Sequence, residues 1–346
     1  MAVAAIPMPL QGWRTTGSAQ PAVWVERETI AMGTRLRITI EAGDRASGIR
    51  AIDEVFAAVR DAEHLLSTWQ SDTELARFNA TPVDERFSLS PRLFRLLDEA
   101  ERWAIATGRA FDPTVGALVD AWGLRGGGRV PSGDELAGAA AGVGTGSVQL
   151  RASDRSGVRR HRGAWIDSGA FGKGAALRDV QAVLDSLDVD RAFVDFGGQV
   201  LALGTATDGR PWPVGVAHPE RRDRVAMTLA LAGLSAATSG QSERSIDAAG
   251  ERIGHVLDPR SGHPVPAWGS VTVVATDPLV ADILSTALLV MGPEAGRRWV
   301  AAHPEVHVLF LVVAAGGLER WCNESLVPLI VPRPTNSEQG DRTCSI

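Results

Sequence analysis

The 346-residue sequence contains no tyrosine, two cysteines and, among 35 basic residues, a single lysine, Lys173. The missing tyrosines exclude any mechanism that needs a phenol, although ten tryptophans and nine phenylalanines leave aromatic surface available. Cys322 and Cys344 are too few for a cysteine-ligated structural zinc or a disulfide scaffold, and the sequence itself gives no support for a bridge between them. Positive charge is also short: 41 acids against 35 bases leave a net charge of −6, the wrong sign for bulk attraction to nucleic acid or anionic lipid. Long apolar runs are missing too. The longest, residues 306–315, is about half of a membrane span and reads as a buried strand. The first twenty residues lack a basic n-region and a lipobox cysteine and are interrupted by two prolines, so they predict no export signal and a cytoplasmic chain. A signal lying upstream of Met1 would make it periplasmic instead.

What is present fits an ordinary globular chain, 45% apolar and 22% charged, long enough for one two-lobed domain or two domains. Residues 1–22 and 332–346 are expected to be disordered extensions around a working region of 23–331. Alternation over residues 26–40 predicts two strands with a bend at Met32-Gly33. Ile49, Ile52, Val55, Phe56, Val59 and Leu66 recur at helical spacing, and a second helix runs from Pro91 to a stop at Gly108. The Gly- and Ala-rich stretch 126–146 reads equally as a linker or as a short helix with turns. Beyond it, β-like runs at 165–167, 192–196, 212–217, 227–231, 270–275 and 307–313 alternate with glycine turns and two helices. The pattern predicts an α+β fold of two interleaved lobes of mixed sheet with packed helices, with a doubly wound parallel sheet as the alternative.

Three segments could carry chemistry. In residues 166–174, Gly169, Gly172, Lys173 and Gly174 lead from a short strand into a helix predicted to start near Gly174; backbone amides and a lysine there suit a phosphate. The spacing is neither a Walker A loop nor a dinucleotide fingerprint, and an ordinary glycine turn explains it as well. In residues 277–291, Asp277 and Pro278 predict a helix start, and Asp282, Ser285 and Thr286 share one stripe of an otherwise apolar helix. A buried carboxylate one turn from a hydroxyl offers oxygen ligands that suit magnesium when phosphate and water complete the shell, and a solvated Asp282 is the plain alternative. Finally, Thr238-Ser239-Gly240 with residues 255–262 looks like a polar wall, though turn chemistry accounts for Asp258 to Gly262 equally well. No nucleophile-elbow motif supports Ser-His-Asp hydrolysis.

In this order, these segments resemble the ApbE-type FAD:protein FMN transferases. The similarity spans about Glu28 to Val313. It is carried by Met32-Gly33-Thr34, Ser67-Thr68-Trp69 with Thr73-Glu74-Leu75 and Asn79, Phe111-Asp112-Pro113-Thr114-Val115 with Trp122-Gly123, Gly169–Gly174, Asp195-Phe196-Gly197-Gly198, Thr238-Ser239-Gly240, His255–Gly262 and Asp282–Thr286. The resemblance implies a T-fold-like architecture with FAD in the crevice between the lobes. It implies a Mg²⁺-dependent enzyme that splits FAD, attaches FMN by a phosphoester to a Ser or Thr of a client flavoprotein and releases AMP. Hydrolysis of FAD to FMN and AMP, or silent FAD binding, are the alternatives. Position by position, the resemblance implies Asp282, Thr286 and the Ala170 carbonyl as metal ligands, with Lys173 beside Gly172 at the diphosphate. Met32 would line the adenine pocket, and Gly198, Thr238, Ser239, Glu243 and Asp258 the rest of the FAD site. His255 would assist the acceptor hydroxyl, with Asp282 as its catalytic companion. The sequence departs from the family pattern after the lysine, where Ala175 and Arg178 stand for an aromatic residue and an acid and Asp179 is displaced by one. Members of the family often place tyrosines around the flavin ring, so with no tyrosine a Trp or Phe would have to stack on it or the ring would be loosely held.

Overall fold

Alternating apolar and polar residues on either side of Met32-Gly33 build the first hairpin of the computed structural model, which describes residues 22–241, 245–248, 251–332 and 344. Met32 and Gly33 both hold left-handed backbone (φ 47° and 71°), the conformation of a two-residue turn whose twist matches that of paired strands, and join β1 (Val23–Ala31) to β2 (Thr34–Ala42). Then follow α1 (Arg45–Leu66), α2 (Glu74–Ala80), β3 (Arg86–Ser88), α3 (Pro91–Ala106), α4 (Gly116–Ala121), α5 (Gly133–Ala140), β4 (Val148–Arg151) and β5 (Ser156–Arg159). The second half carries α6 (Gly172–Ser186), β6 (Ala192–Phe196), β7 (Gln199–Leu203), β8 (Trp212–Ala217), β9 (Val225–Leu231), β10 (Leu234–Gly240), β11 (Ser245–Ala248), β12 (Glu251–Gly254), β13 (Gly269–Ala275), α7 (Pro278–Ala301), β14 (His307–Ala314), β15 (Gly317–Cys322) and a closing 3-10 helix, Glu324–Leu329.

Eight strands form the main sheet in the order β1-β2-β6-β7-β10-β13-β14-β15. Every named strand pair is antiparallel, so the α+β class holds, the sheet expected as mixed is antiparallel, and the doubly wound parallel alternative does not form. Its register sets Ile38 of β2 opposite Val194 of β6, across most of the first half of the chain. Helices α1, α6 and α7 lie on one face. The first two cover Leu36, Ile38, Val194 and Leu201, and α7 covers Ala237, Val271 and Val273. The β8–β9 hairpin and the 3-10 helix cover the other face over Val200, Ala236, Val274 and Leu309. The elements from α2 to β5 interrupt the sequence between α1 and α6 and form the smaller lobe, joined to α6 and α7 by a cluster that includes Phe78, Phe111, Phe171 and Ile283. This interruption is the interleaving that the sequence predicts.

Local signals fixed the helix starts. Asp44 caps α1 by accepting the amides of Ala46 (2.8 Å) and Ser47 (2.9 Å), while Ser90-Pro91 and Asp277-Pro278 open α3 and α7. Helix α7 is broken at Gly292 (φ 76°) ahead of Pro293. It is long and apolar enough to cross a membrane, yet it packs against β10 and β13 with Leu284, Leu288 and Leu289 fully buried. One expectation needs correction, since residues 165–167 make only one bridge, Trp165 to Val115; of the two readings of residues 126–146, the short helix with turns is the one that forms, as α5. Residues 1–21 and most of the expected C-terminal tail lie outside the described residues.

Candidate functional site

Two helices begin side by side, and local sequence dictates the start of one of them. Helix α7 begins at its Asp277 cap, whereas α6 begins at Gly172, two residues earlier than the sequence suggests, after Phe171, which makes no side-chain cap. Lys173 therefore stands in the first turn of α6, where the helix dipole favours an anion, while the Gly172 and Gly174 amides are already taken by the Ser168 carbonyl (2.7 Å) and the Asp282 carboxylate (2.8 Å). Gly174 allows the close approach of the two helices. A Cβ there would lie 2.6 Å from the Pro278 carbonyl oxygen and 2.7 Å from the Asp282 Cβ. Helix packing, rather than contact with a phosphate, requires this glycine.

Asp282 sits on α7 at that contact, 4% exposed. Its carboxylate accepts the Gly174 N–H at 2.8 Å and faces the Lys173 ammonium at 3.3 Å. Burial pushes its carboxyl above the ordinary range, against the opposing pull of Lys173 and the Gly174 amide, so a further cation at this carboxylate would be favoured. One turn on, Ser285 donates to the Asp282 carbonyl (2.9 Å) and meets the Ser239 hydroxyl at 2.8 Å; Ser239 lies 3.4 Å from the Thr286 hydroxyl. Because the Gly174 amide is spent on Asp282, it does not close the α6 ladder onto Ala170. Among the described residues no backbone amide donates to the Ala170 carbonyl. No cluster of three His, Cys, Asp or Glu occurs among them either. A cation here would be held by one carboxylate and neutral oxygens, a donor set that suits magnesium and leaves positions for phosphate and water.

Met32 reaches the same helix start, its Cε 3.2 Å from where a Gly172 Cβ would stand. The remaining predicted residues divide. On β10 successive side chains point to opposite faces, so Ser239 joins Ser285 and Thr286, while Thr238 turns to the other face and meets the Thr272 hydroxyl at 2.8 Å. There Thr238 and Gly198 border a small pocket of about 50 Å³ with His218, Arg222 and Ser270, so the Thr238-Ser239 part of the predicted wall has two sides, with Ser239 on the Asp282 side and Thr238 on the other. Asp258 accepts the Arg260 backbone amide and guanidinium at 2.9 Å within its own turn, the structural reading of that segment. His255 is half-buried after β12, next to Val256, whose N–H (3.1 Å) and carbonyl (3.0 Å) are both held by the buried Gln241 amide. Glu243 lies outside the described residues.

Sequence reasoning missed a second cluster. Arg125 lies over the Trp165 ring (4.5 Å) and the Trp69 ring (5.2 Å), and donates to Asp167 (2.6 Å) and to the Thr68 hydroxyl (2.6 Å). Trp69 is 72% exposed, which leaves ring surface open for stacking. Gln199 also escaped notice: its amide donates to the Pro278 carbonyl at 2.8 Å and its own Oε1 is buried without a partner. Of the residues at which the sequence departs from the family pattern, Ala175 packs into the core and Arg178 and Asp179 enter ion pairs between helices. Arg178 grips Glu99 of α3 through two bonds (2.7 and 2.8 Å) and Asp277 of α7 at 2.9 Å, and Asp179 pairs with Arg92.

The ApbE family profile matches residues 32–310. The chain is similar to the FAD:protein FMN transferase of Klebsiella pneumoniae (strain 342), 30% identical over 308 residues that cover 87% of each protein. To the enzyme of that name from Vibrio cholerae serotype O1 it is 29% identical over 320 residues, 91% of this chain and 95% of the relative. Among solved structures, the flavin transferase ApbE of Vibrio cholerae superposes with a TM-score of 0.80 at 28% identity, covering 89% of this chain and all of that one. The ApbE protein of Thermotoga maritima superposes with a TM-score of 0.82 at 29% identity, covering 90% of this chain and all of that one.

Proposed function

The chain belongs to the ApbE family, and on that premise we propose that it is an FAD:protein FMN transferase, using Mg²⁺ and acting on a Ser or Thr of a client flavoprotein. The observation that carries this reading is the likeness to enzymes of that name along residues 32–310. In the reaction, the client hydroxyl oxygen bonds to the FMN-side phosphorus of FAD, the bond from that phosphorus to the bridging oxygen breaks, and AMP leaves with that oxygen. The ester keeps one negative charge, and no covalent enzyme intermediate is needed.

We assign the first turn of α6, with Gly172 and Lys173, to the FAD diphosphate and Met32 to the adenine side. The exposed Trp69 ring, backed by Arg125, is our choice to stack on the flavin in a chain without tyrosine. Asp282, Thr286 and the Ala170 carbonyl are the ligands we assign to Mg²⁺, which when bound would offset the charge developing on the phosphate oxygens. We assign His255 to orient the client hydroxyl and receive its proton.

Purified protein, FAD, Mg²⁺ and a client flavoprotein domain should together yield a client heavier by one FMN and an equivalent of AMP. FMN and AMP without client labelling would indicate the hydrolytic variant, and FAD binding without AMP a silent carrier. Lys173→Ala should weaken FAD binding about tenfold or more, from the ~1.5–3 kcal/mol of a charge-assisted contact, read by flavin fluorescence titration. Lys173→Arg should recover only part, because a planar fork replaces a compact ammonium. Unchanged affinity in the alanine variant would confine Lys173 to its ion pair with Asp282.

A further inference from the structure

Cys322 ends β15 fully buried among Val274, Leu309 and Leu326, on the sheet face opposite α7. Cys344, 22 positions further along the chain, packs half-buried against the same cluster, its thiol beside the Cys322 sulfur. Both are free thiols and the chain has no third cysteine. Nothing about the pair involves the Asp282 side of the sheet, so flavin chemistry does not explain it.

We propose that Cys322 and Cys344 form an intramolecular disulfide that fastens the C-terminal segment to the sheet face beneath the β8–β9 hairpin. A small disulfide such as oxidised glutathione is the oxidant. The Cys344 thiolate attacks one of its sulfurs, breaking that S–S bond and releasing one thiol. The Cys322 thiolate then attacks the Cys344 sulfur of the mixed disulfide and expels the second. Two cysteine thiols are oxidised, the glutathione disulfide is reduced to two thiols, and the two cysteine protons pass to the departing thiolates. Cys344 is the sulfur a small reagent reaches. Cys322 is shielded, so it makes the second displacement from within the cluster; in the reduced pair their contact holds Cys322 below the usual thiol range and, with burial, pushes Cys344 above it, so the first attack is the slow step.

The whole chain, incubated with oxidised glutathione, alkylated and digested, should show a loss of about 2 Da and a peptide linking Cys322 to Cys344. Its melting temperature should lie about 5 °C above that of the reduced protein, because the bridge restricts the unfolded chain. Cys344→Ser should melt like the reduced protein and gain nothing from oxidation. A persisting glutathione adduct, bridges only between chains, no reaction, or an internal bridge with unchanged melting temperature would each overturn the proposal.

Discussion

Asp282→Asn is expected to lower Mg²⁺-dependent FMN transfer by about a thousandfold, the ~4 kcal/mol scale of a lost Lewis-acid contact. The amide oxygen can still accept the Gly174 N–H that Asp282 accepts at 2.8 Å, so the α6–α7 contact should persist and melting should stay close to the parent. What disappears is the negative charge, the counter-ion of Lys173 and the single carboxylate assigned to the metal. Asp282→Ala should lose as much activity and, in addition, about 1–3 kcal/mol of stability, because it leaves the Gly174 amide buried without an acceptor. Comparing the two variants separates charge from support. Rates of AMP release measured across a Mg²⁺ titration provide the check; an asparagine variant with parental rate and metal dependence would reduce Asp282 to a packing residue.

Gly174→Ala should destabilise the protein by about 3 kcal/mol, the upper range for overpacking. Alanine in a helix is ordinarily better than glycine by roughly 1 kcal/mol, so the expected sign is reversed by one local circumstance. The added methyl would stand 2.6 Å from the Pro278 carbonyl oxygen and 2.8 Å from the Leu279 Cα, both backbone atoms that cannot rotate away. The helices must separate, which also parts Lys173 from Asp282, so the folded fraction should transfer FMN poorly. Gly138→Ala in α5 is the control. A Cβ there meets nothing within 4 Å, and that variant should be as stable as the parent or more so. Denaturant midpoints of the three proteins decide the matter, and a neutral Gly174→Ala would mean that α6 and α7 are not in the tight contact described.

The contrast between these glycines shows where sequence reading stops. Features set by a few neighbouring residues were legible: the Met32-Gly33 turn, the Asp277-Pro278 helix start, and the Asp282, Ser285, Thr286 stripe. Features set by distant packing were not. Gly174 looked like a phosphate-loop residue because its nearest neighbour, α7, lies a hundred positions away in the chain. Thr238 and Ser239 looked like one polar surface because their strand went unrecognised, and the two-residue period of β10 sends them to Thr272 and Ser285 on opposite faces. Arg125 carried no local signal at all; its role arises only when folding sets it over Trp69 and Trp165.

The antiparallel pairing of β2 with β6 also bears on how the chain is made. Ile38 cannot meet Val194 until 156 further residues have been added to the chain, on the order of 10–30 s at usual rates of synthesis. For that time the first hairpin presents Leu36, Ile38 and Ile40 on an open edge, while the residues of the smaller lobe emerge and already hold much of what they need for their own core. The nascent chain must therefore keep an apolar strand from pairing with a neighbour through most of its translation, and its yield in a foreign host should depend on holdase chaperones more than on the stability of the finished fold.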